Sequence, residues 1–372
     1  MSRVLLLGSS SESLSGFRGP LIRELIHRGH EVIACAPDFS ADDARALTES
    51  GAVCREVPLS RTGTNPIHDL RSLIALVMLF RQVKPDVFLG YMIKPVIYGT
   101  LAAWLAQVPT RCAMIEGLGY AFVGEGRTAR RAGRVATILY RMALRRVHTV
   151  FFLNPEDQSA FVERKILTQP EKAVQIGGIG VDVTRFTPAP LPEGEVVFLL
   201  IARLLKSKGI REYAAAATDL RARYPHARFL LVGWDYGGPD GVSEGEVRSW
   251  ENSGAIEYLG RMRDVRPAIE RASVYVLPSY REGFPVTVME AMAMGRPVVA
   301  TDVPGCRDAV EEGVTGVLVP PRDVAGLVKG MERFLMDPSL IPKMGRESRR
   351  VAEERFDVRK VNALILREMG LS

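Results

Sequence analysis

Residues 282–292 read EGFPVTVMEAM and follow VYVLP at 274–278. The apolar run 274–278 reads as a short buried strand closed by Pro278, and Pro285 suits the first turn of a helix, where its missing N–H costs nothing. From Pro285 to Gly295 the small and apolar residues Val288, Ala291 and Met292 recur at helical spacing, and Gly295 marks the stop. Glu282 therefore stands in a strand-to-helix loop, and Glu290 lies about one and a half turns into the helix. A strand followed by a tight turn and a helix is the repeating step of a parallel α/β sheet, so this stretch decides the fold class. Two carboxylates beside a helix N-terminus suit a ligand carrying both phosphates and hydroxyls. A helix-capping Glu282 and a solvated Glu290 fit the same stretch equally well.

The same step recurs along the chain. RVLLLG (3–8), EVIACAP (31–37), AVCREVPL (52–59), DVFLG (86–90), TRCAMI (110–115) and TVFFLN (149–154) read as strands. Helical patterns separate them, such as 17–28 with Leu21, Ile22, Leu25 and Ile26 on one face and Gly29 at its end. In the second half EVVFLLIA (195–202), RFLLVG (228–233), AIEYLG (255–260), SVYVLP (273–278) and PVVATD (297–302) repeat the scheme. The Gly- and Pro-rich stretch 177–195 is the natural boundary. The expectation is an α/β protein of two Rossmann-like, doubly wound domains facing a cleft, over residues 1–183 and 184–355. Residues 356–372 form a closing helix that packs on either domain.

A chain of 372 residues, 47% hydrophobic and 25% charged, is sized for two cores. Its longest apolar run, 73–80, is far short of the ~20 residues a membrane-spanning helix needs, and no secretory signal pattern precedes the first strand, so a cytosolic location is expected. Four scattered cysteines (35, 54, 112, 306) have neither zinc nor disulfide spacing. The net charge of +6 is lopsided: residues 1–185 carry 23 Lys and Arg against 17 Asp and Glu, while 186–372 are balanced at 26 each. An acidic partner for the first half is implied. No nucleic-acid motif is present.

Open α/β sheets bind ligands outside the C-terminal ends of their strands. RLLKSKG, after the strand at 195–202, puts Arg203 and Lys208 at that edge, as the strand at 274–278 does for Glu282. Two cations for a diphosphate and two carboxylates for sugar hydroxyls can then converge. A glycoside hydrolase would use Glu282 and Glu290 as acid and nucleophile, but leaves Arg203 and Lys208 without a task. A nicotinamide oxidoreductase fits the sheets, whereas GSSSESLSGFRG (8–19) lacks the Gly-x-Gly-x-x-Gly spacing. A non-catalytic nucleotide-binding protein is the third alternative. No Asp-x-Asp pair ends a strand, so no metal is expected.

Two segments carry a resemblance. IARLLKSKGIREYAAAA (201–217) and YREGFPVTVMEAMAMGRPVVATDVPGCRDAVEEGVTGVLVPPRD (280–323) resemble the C-terminal domain of retaining glycosyltransferases of family 4, which have the GT-B fold. IKPVIYGTLAAWLA (93–106) and IEGLGYAFVGEG (115–126) resemble a bacterial branch that adds an N-acetylhexosamine, often N-acetylgalactosamine, to a sugar on undecaprenyl diphosphate. The resemblance implies a UDP-sugar donor and no further cofactor, a polyprenyl-diphosphate-linked glycan as acceptor, and work at the cytoplasmic face of the inner membrane in surface-glycan assembly. It implies that Glu290 binds the ribose and Glu282 the transferred sugar, with backbone at Gly283, Phe284, Pro285 and Val286 beside it. Arg203 and Lys208 neutralise the diphosphate, and Gly260 and Arg261 lie where the base is read. Many members of that family carry a Gly-Gly pair in the first loop, where this chain has the lone Gly16, and many a His near the place of Glu116. Glu116 orients a sugar or caps the loop after it; Lys94 meets an acceptor phosphate or is merely solvated. Gly117 and Gly119, with Gly124 and Gly126, form a mobile cover or simple turns.

Residues 127–146, RTARRAGRVATILYRMALRR, hold seven arginines and no acid. On a helix Arg127, Arg130, Arg134, Arg141 and Arg145 fall within a ~60° arc. Val135, Ala136, Leu139, Tyr140 and Ala143 are expected opposite, on the sheet, and Ile138 and Met142 flank the basic stripe. The stripe suits an anionic membrane surface, or is an ordinary solvated face.

Overall fold

The computed structural model describes residues 1–60, 65–117, 127–235, 237–238 and 240–372, with backbone alone at 127–132. It divides into two units, Met1–Ile179 with Arg359–Ser372, and Gly180–Val358. Val181 donates its N–H to Phe356 O (2.7 Å) and accepts from Val358 N–H (3.0 Å). That pairing draws 180–183 and 356–358 into the second unit, which moves both boundaries from the expected 183 and 355. The final helix otherwise belongs to the first unit, with Thr149 Oγ1 donating to Glu368 O at 3.4 Å.

In the first unit the strands are β1 Arg3–Leu7, β2 Glu31–Ala36, β3 Val53–Glu56, β4 Val87–Tyr91, β5 Thr110–Ile115, β6 Thr149–Phe152 and β7 Ala173–Gln175. Its helices are α1 Gly19–His27, α2 Ala41–Glu49, α3 Pro66–Val83, α4 Thr100–Leu105, α5 Arg127–Leu144 and α6 Pro155–Glu163. All strands are parallel, in the order β3-β2-β1-β4-β5-β6-β7. Right-handed crossovers therefore put α1 and α2 on one face and α3, α4 and α5 on the other. α3 packs on α4 and α4 on α5. Beneath this layer Leu76 and Phe80 of α3 meet Leu5, Leu7 and Phe88, while Tyr140 and Leu144 of α5 meet Ala113, Ile115 and Val150.

The second unit has β8 Val197–Ile201, α7 Ile210–Arg223, β9 Arg228–Val232, α8 Glu244–Asn252, β10 Glu257–Tyr258 and α9 Arg266–Glu270. There follow β11 Val274–Leu277, α10 Val286–Ala293, β12 Val298–Thr301, α11 Cys306–Ala309, β13 Gly316–Val319, α12 Val324–Met336 and α13 Leu340–Arg355, after which α14 Val358–Glu368 returns to the first unit. The parallel strand order is β10-β9-β8-β11-β12-β13. The order of strand addition reverses once in each sheet, between β1 and β4 and between β8 and β11, and these switch points are where a doubly wound sheet opens a crevice. Among the described residues no helix is long and apolar enough to cross a membrane.

Candidate active site

The switch point of the second unit is flanked by the loops 202–209 and 278–285, which hold Arg203, Lys208 and Glu282. Three contacts stitch the loops together. Tyr280 N–H donates to Ser207 O at 2.8 Å. Gly209, at φ +70°, lies so close to the neighbouring loop that a Cβ would sit 2.1 Å from Pro278 O, so only glycine fits. Lys208 Nζ donates to Glu282 Oε1 at 2.5 Å, with the two side chains 19% and 11% exposed. That exposure leaves both groups open to a ligand, yet shielded enough for their charges to act strongly. Behind the pair, Gly305 at φ +80° has its Cα against the carbonyls of Glu282 and Gly283, where a Cβ would come within 3.0 and 2.7 Å.

Glu290 is the fifth residue of α10 and is partly exposed. Burial pushes its carboxyl up to about 8, with Arg185 pulling it back and Asp264 pushing it further. Beneath it the Tyr275 hydroxyl lies 2.6 Å from Thr287 Oγ1 and 3.1 Å from Ile201 O, tying the end of β8 to the first turn of α10. Burial raises the Tyr275 phenol, so it stays neutral. Pro285 precedes the helix in extended backbone, at φ −78° and ψ 111°, and Val286 is its first residue. Phe284 is buried and meets Phe356 edge-on at 5.4 Å, so its ring anchors the loop while its backbone stays at the edge. Gly260 takes φ +69° and accepts from Gly233 N–H at 2.9 Å, and the Arg261 guanidinium lies over the Trp234 ring at 4.9 Å. These contacts join the ends of β9 and β10, on the β8 side of the switch point. Arg203 is half-buried directly after β8.

In the first unit the switch point is built differently. The serine-rich loop closes into a wide helical turn over 13–17 and is pinned by Asp43, which accepts from Ser11 (2.8 Å) and Ser15 (2.6 Å). Gly16 is exposed at its crest with nothing within 4 Å of a Cβ position. Arg18, only 2% exposed, pairs with Glu116 and lies over the Tyr91 ring at 4.8 Å, while the Tyr91 hydroxyl meets Ser13 Oγ at 2.9 Å. The Arg18 Nε has no hydrogen-bond partner among the described residues. The sequence reading passed over Arg18: one arginine before a helix carries no signal until the fold brings β4 and β5 against it. Lys94 Nζ donates to Asp69 and Ser60, both at 2.7 Å, so its charge is already countered. Tyr98 OH donates to the other Asp69 oxygen at 2.8 Å. Gly117 follows Glu116 directly; Gly119, Gly124 and Gly126 lie outside the described residues.

On α5, Arg134, Ile138, Met142 and Arg145 are exposed. Val135, expected against the sheet, is 54% exposed instead, because α5 leans on the turn at 95–99 and on α4 through Tyr140, Ala143 and Leu144, leaving the far side of the helix uncovered. Arg141 turns inward in part, its Nε donating to Lys165 O at 2.7 Å. Arg127 and Arg130 lie where no side chain is described.

The comparisons with known proteins fit this geometry. A family model described as "Glycosyl transferase 4-like domain" matches residues 19–178, and one described as "Glycosyl transferases group 1" matches 195–337, so each unit carries one of the two. The chain is a GT-B glycosyltransferase. This glycosyltransferase is 29% identical, over 91% of its length and 90% of the relative's, to the N,N'-diacetylbacillosaminyl-diphospho-undecaprenol alpha-1,3-N-acetylgalactosaminyltransferase of Campylobacter jejuni. It is 25% identical, over 87% of its length and 83% of the relative's, to the UDP-Gal:alpha-D-GlcNAc-diphosphoundecaprenol alpha-1,3-galactosyltransferase of Escherichia coli. The crystal structure of Anabaena HepE in complex with UDP and glucose shares its fold, at 20% identity, with a TM-score of 0.81 and full coverage of both chains. The enzyme is a hexosyltransferase, and the hydrolase and oxidoreductase expectations fall.

Proposed function

We propose that this glycosyltransferase moves an N-acetylhexosamine from a UDP-sugar to the sugar of an undecaprenyl-diphosphate-linked acceptor, retaining the α configuration, in surface-glycan assembly. The observation that carries this reading is the Lys208–Glu282 pair at the β8/β11 switch point: one cation for the leaving diphosphate and one carboxylate for the hydroxyls of the departing sugar. In the reaction the bond between the anomeric carbon and the diphosphate oxygen breaks with its electron pair staying on the diphosphate, while the acceptor hydroxyl oxygen bonds to the anomeric carbon on the same face and its proton passes to the departing phosphate oxygen. Arg203 and Lys208 face the charge that builds there, which lowers the barrier because fixed cations need no reorganisation. Glu282 aligns the sugar, the backbone at 283–286 approaches it, and Glu290 accepts from the ribose hydroxyls. The backbone at Gly260 and Arg261 meets the base. No step calls for a metal.

The first unit is assigned to the acceptor. Glu116, held by Arg18, orients the acceptor sugar. α5 lies against the cytoplasmic face of the membrane, with Arg134 and Arg145 toward anionic headgroups. Both relatives named above act on undecaprenol-linked sugars, which supports this assignment. Incubation of the full chain with radiolabelled UDP-sugars and a membrane lipid extract, with and without EDTA, tests the reading. Label in a lipid-linked product in both samples is expected. Free sugar as the sole product, or donor left intact, overturns it.

A further inference from the structure

We propose that α3 is a second membrane-docking element, an interfacial helix whose outer face enters the surface of an anionic lipid bilayer. This rests on the lipid-linked acceptor proposed above and assigns residues that reading does not use.

The observation is a helix apolar on both sides. Leu76 and Phe80 of α3 are buried on the sheet, yet Ile67, Leu70, Ile74 and Met78 are between 52% and 66% exposed. At 100° per residue these four fall within a ~80° arc, so they form one continuous stripe. A helix apolar all round is normally covered on all sides. Of the fifteen large hydrophobic side chains exposed among the described residues, nine lie on α3, α4 and α5, the three helices of one layer. Exposed apolar surface concentrated in this way marks an interaction site.

The charges identify the occupant. Arg71 and Arg81 lie on the outward side of α3, exposed and without an acid partner among the described residues. The one acid of the helix, Asp69, is turned inward to Lys94. A second copy docked by a two-fold axis would set arginine against arginine, which disfavours self-association. An anionic bilayer satisfies both features, since arginines reach the headgroups while an apolar stripe sinks to the acyl boundary. The neighbouring helix continues the pattern: Trp104 on α4 is exposed, with the Arg146 guanidinium over its ring at 4.3 Å. Tryptophan beside arginine suits the headgroup level.

The test is flotation of the full chain with vesicles of phosphatidylcholine alone or with about a third phosphatidylglycerol, at low and high salt. Basic attraction fades with salt, whereas apolar insertion persists. Wild type is expected to bind the anionic vesicles and to keep a salt-resistant fraction. I74D/M78D should lose that fraction, with partitioning at least ~10-fold lower. I67S/L70S, milder changes on the same stripe, should lower it in the same direction. Size-exclusion chromatography and a thermal melt on the same samples check assembly and folding. Vesicle binding unchanged in both variants overturns the proposal, as does absence of wild-type binding. A wild-type dimer that I74D/M78D splits into monomers also overturns it, by showing that a second copy covers the stripe. Transfer to a short soluble acceptor analogue, which both variants leave intact, reports separately on the glycosyltransferase reading.

Discussion

The outer helices of the two units are built from the same residue types and face different surroundings. In the second unit arginines are laced to acids: Arg223 bridges Asp219 at 2.6 Å and also Glu332, and Arg350 bridges Glu347 at 2.8 Å and Glu354 at 2.7 Å. On α3 and α5 of the first unit Arg71, Arg81, Arg134 and Arg145 have no acid partner among the described residues, and apolar side chains stand exposed between them. The switch points differ too. In the second unit the Lys208–Glu282 pair is open to a ligand; in the first, the Arg18 guanidinium is sealed beneath Tyr91 and the loop turn. On the proposed reading, one architecture serves a soluble donor in one half and an anionic surface in the other.

The comparison breaks first at the open pair. Lys208→Ala should lower turnover by ~100 to 1,000-fold, about 2.7 to 4 kcal/mol, the loss typical of one preorganised group facing developing charge, with little change in melting temperature. Near-wild-type turnover in a steady-state assay would remove Lys208 from the leaving-group site. The sealed pair should behave in the opposite sense. Arg18→Ala should cost about 3 kcal/mol of stability, the low end for breaking a buried ion pair because Glu116 is partly exposed, as a denaturant melt will read. A stable Arg18→Ala protein with low activity would move Arg18 from scaffold to chemistry.

The basic face comes next. Arg134→Glu with Arg145→Glu should weaken binding to anionic vesicles at low salt by ~30-fold or more, at ~1 kcal/mol for each arginine, and leave the Arg350 network untouched. Equal sedimentation of variant and wild type would return α5 to the ordinary solvated face.

Glu290→Gln should raise the donor KM by about 10-fold with turnover within about twofold, since a ribose contact is alike in ground and transition states. Its raised carboxyl adds a pH test. The folded protein holds this proton between the ordinary carboxylate range and about 8, while the unfolded chain has released it. Wild-type stability without donor should therefore fall as pH rises through that window, and Glu290→Gln should fall less, a difference of a few degrees in melting temperature. Ribose hydroxyls favour the ionised form, so the wild-type donor KM should drop toward pH 8 and above, where that of Glu290→Gln stays level. At the small end, Arg350→Ala should change stability by less than ~0.5 kcal/mol, as exposed i,i+4 pairs do.

Most of the fold was legible because strands buried on both faces read as short apolar runs. The two strands that escaped are β7, three residues at an exposed edge, and β13, which opens on glycine; neither offers a run long enough to see. The site residues of the second unit were legible as types at loop positions. Lysine and glutamate seventy-four positions apart do not announce a 2.5 Å pair, and nothing in the sequence marks Gly209 and Gly305 as the residues that let the loops close on one another. Val135 was misplaced because helical periodicity gives an angle around the axis but not which side the neighbouring helix leaves bare.

By itself the sequence determined the α/β class, the two halves, the loops that bear charge and the excess of basic residues in the first half, because these follow from local periodicity and composition. Tertiary structure decided which charges are neutralised and which remain available. Lys94 and Arg18 look as open in the sequence as Arg71 and Arg134, yet one is held by Asp69 and the other by Glu116. It also decided that the apolar stripe of α3 stays uncovered. Whether a side chain is spent or available depends on partners brought together by the sheet order, and that order is a property of the whole chain.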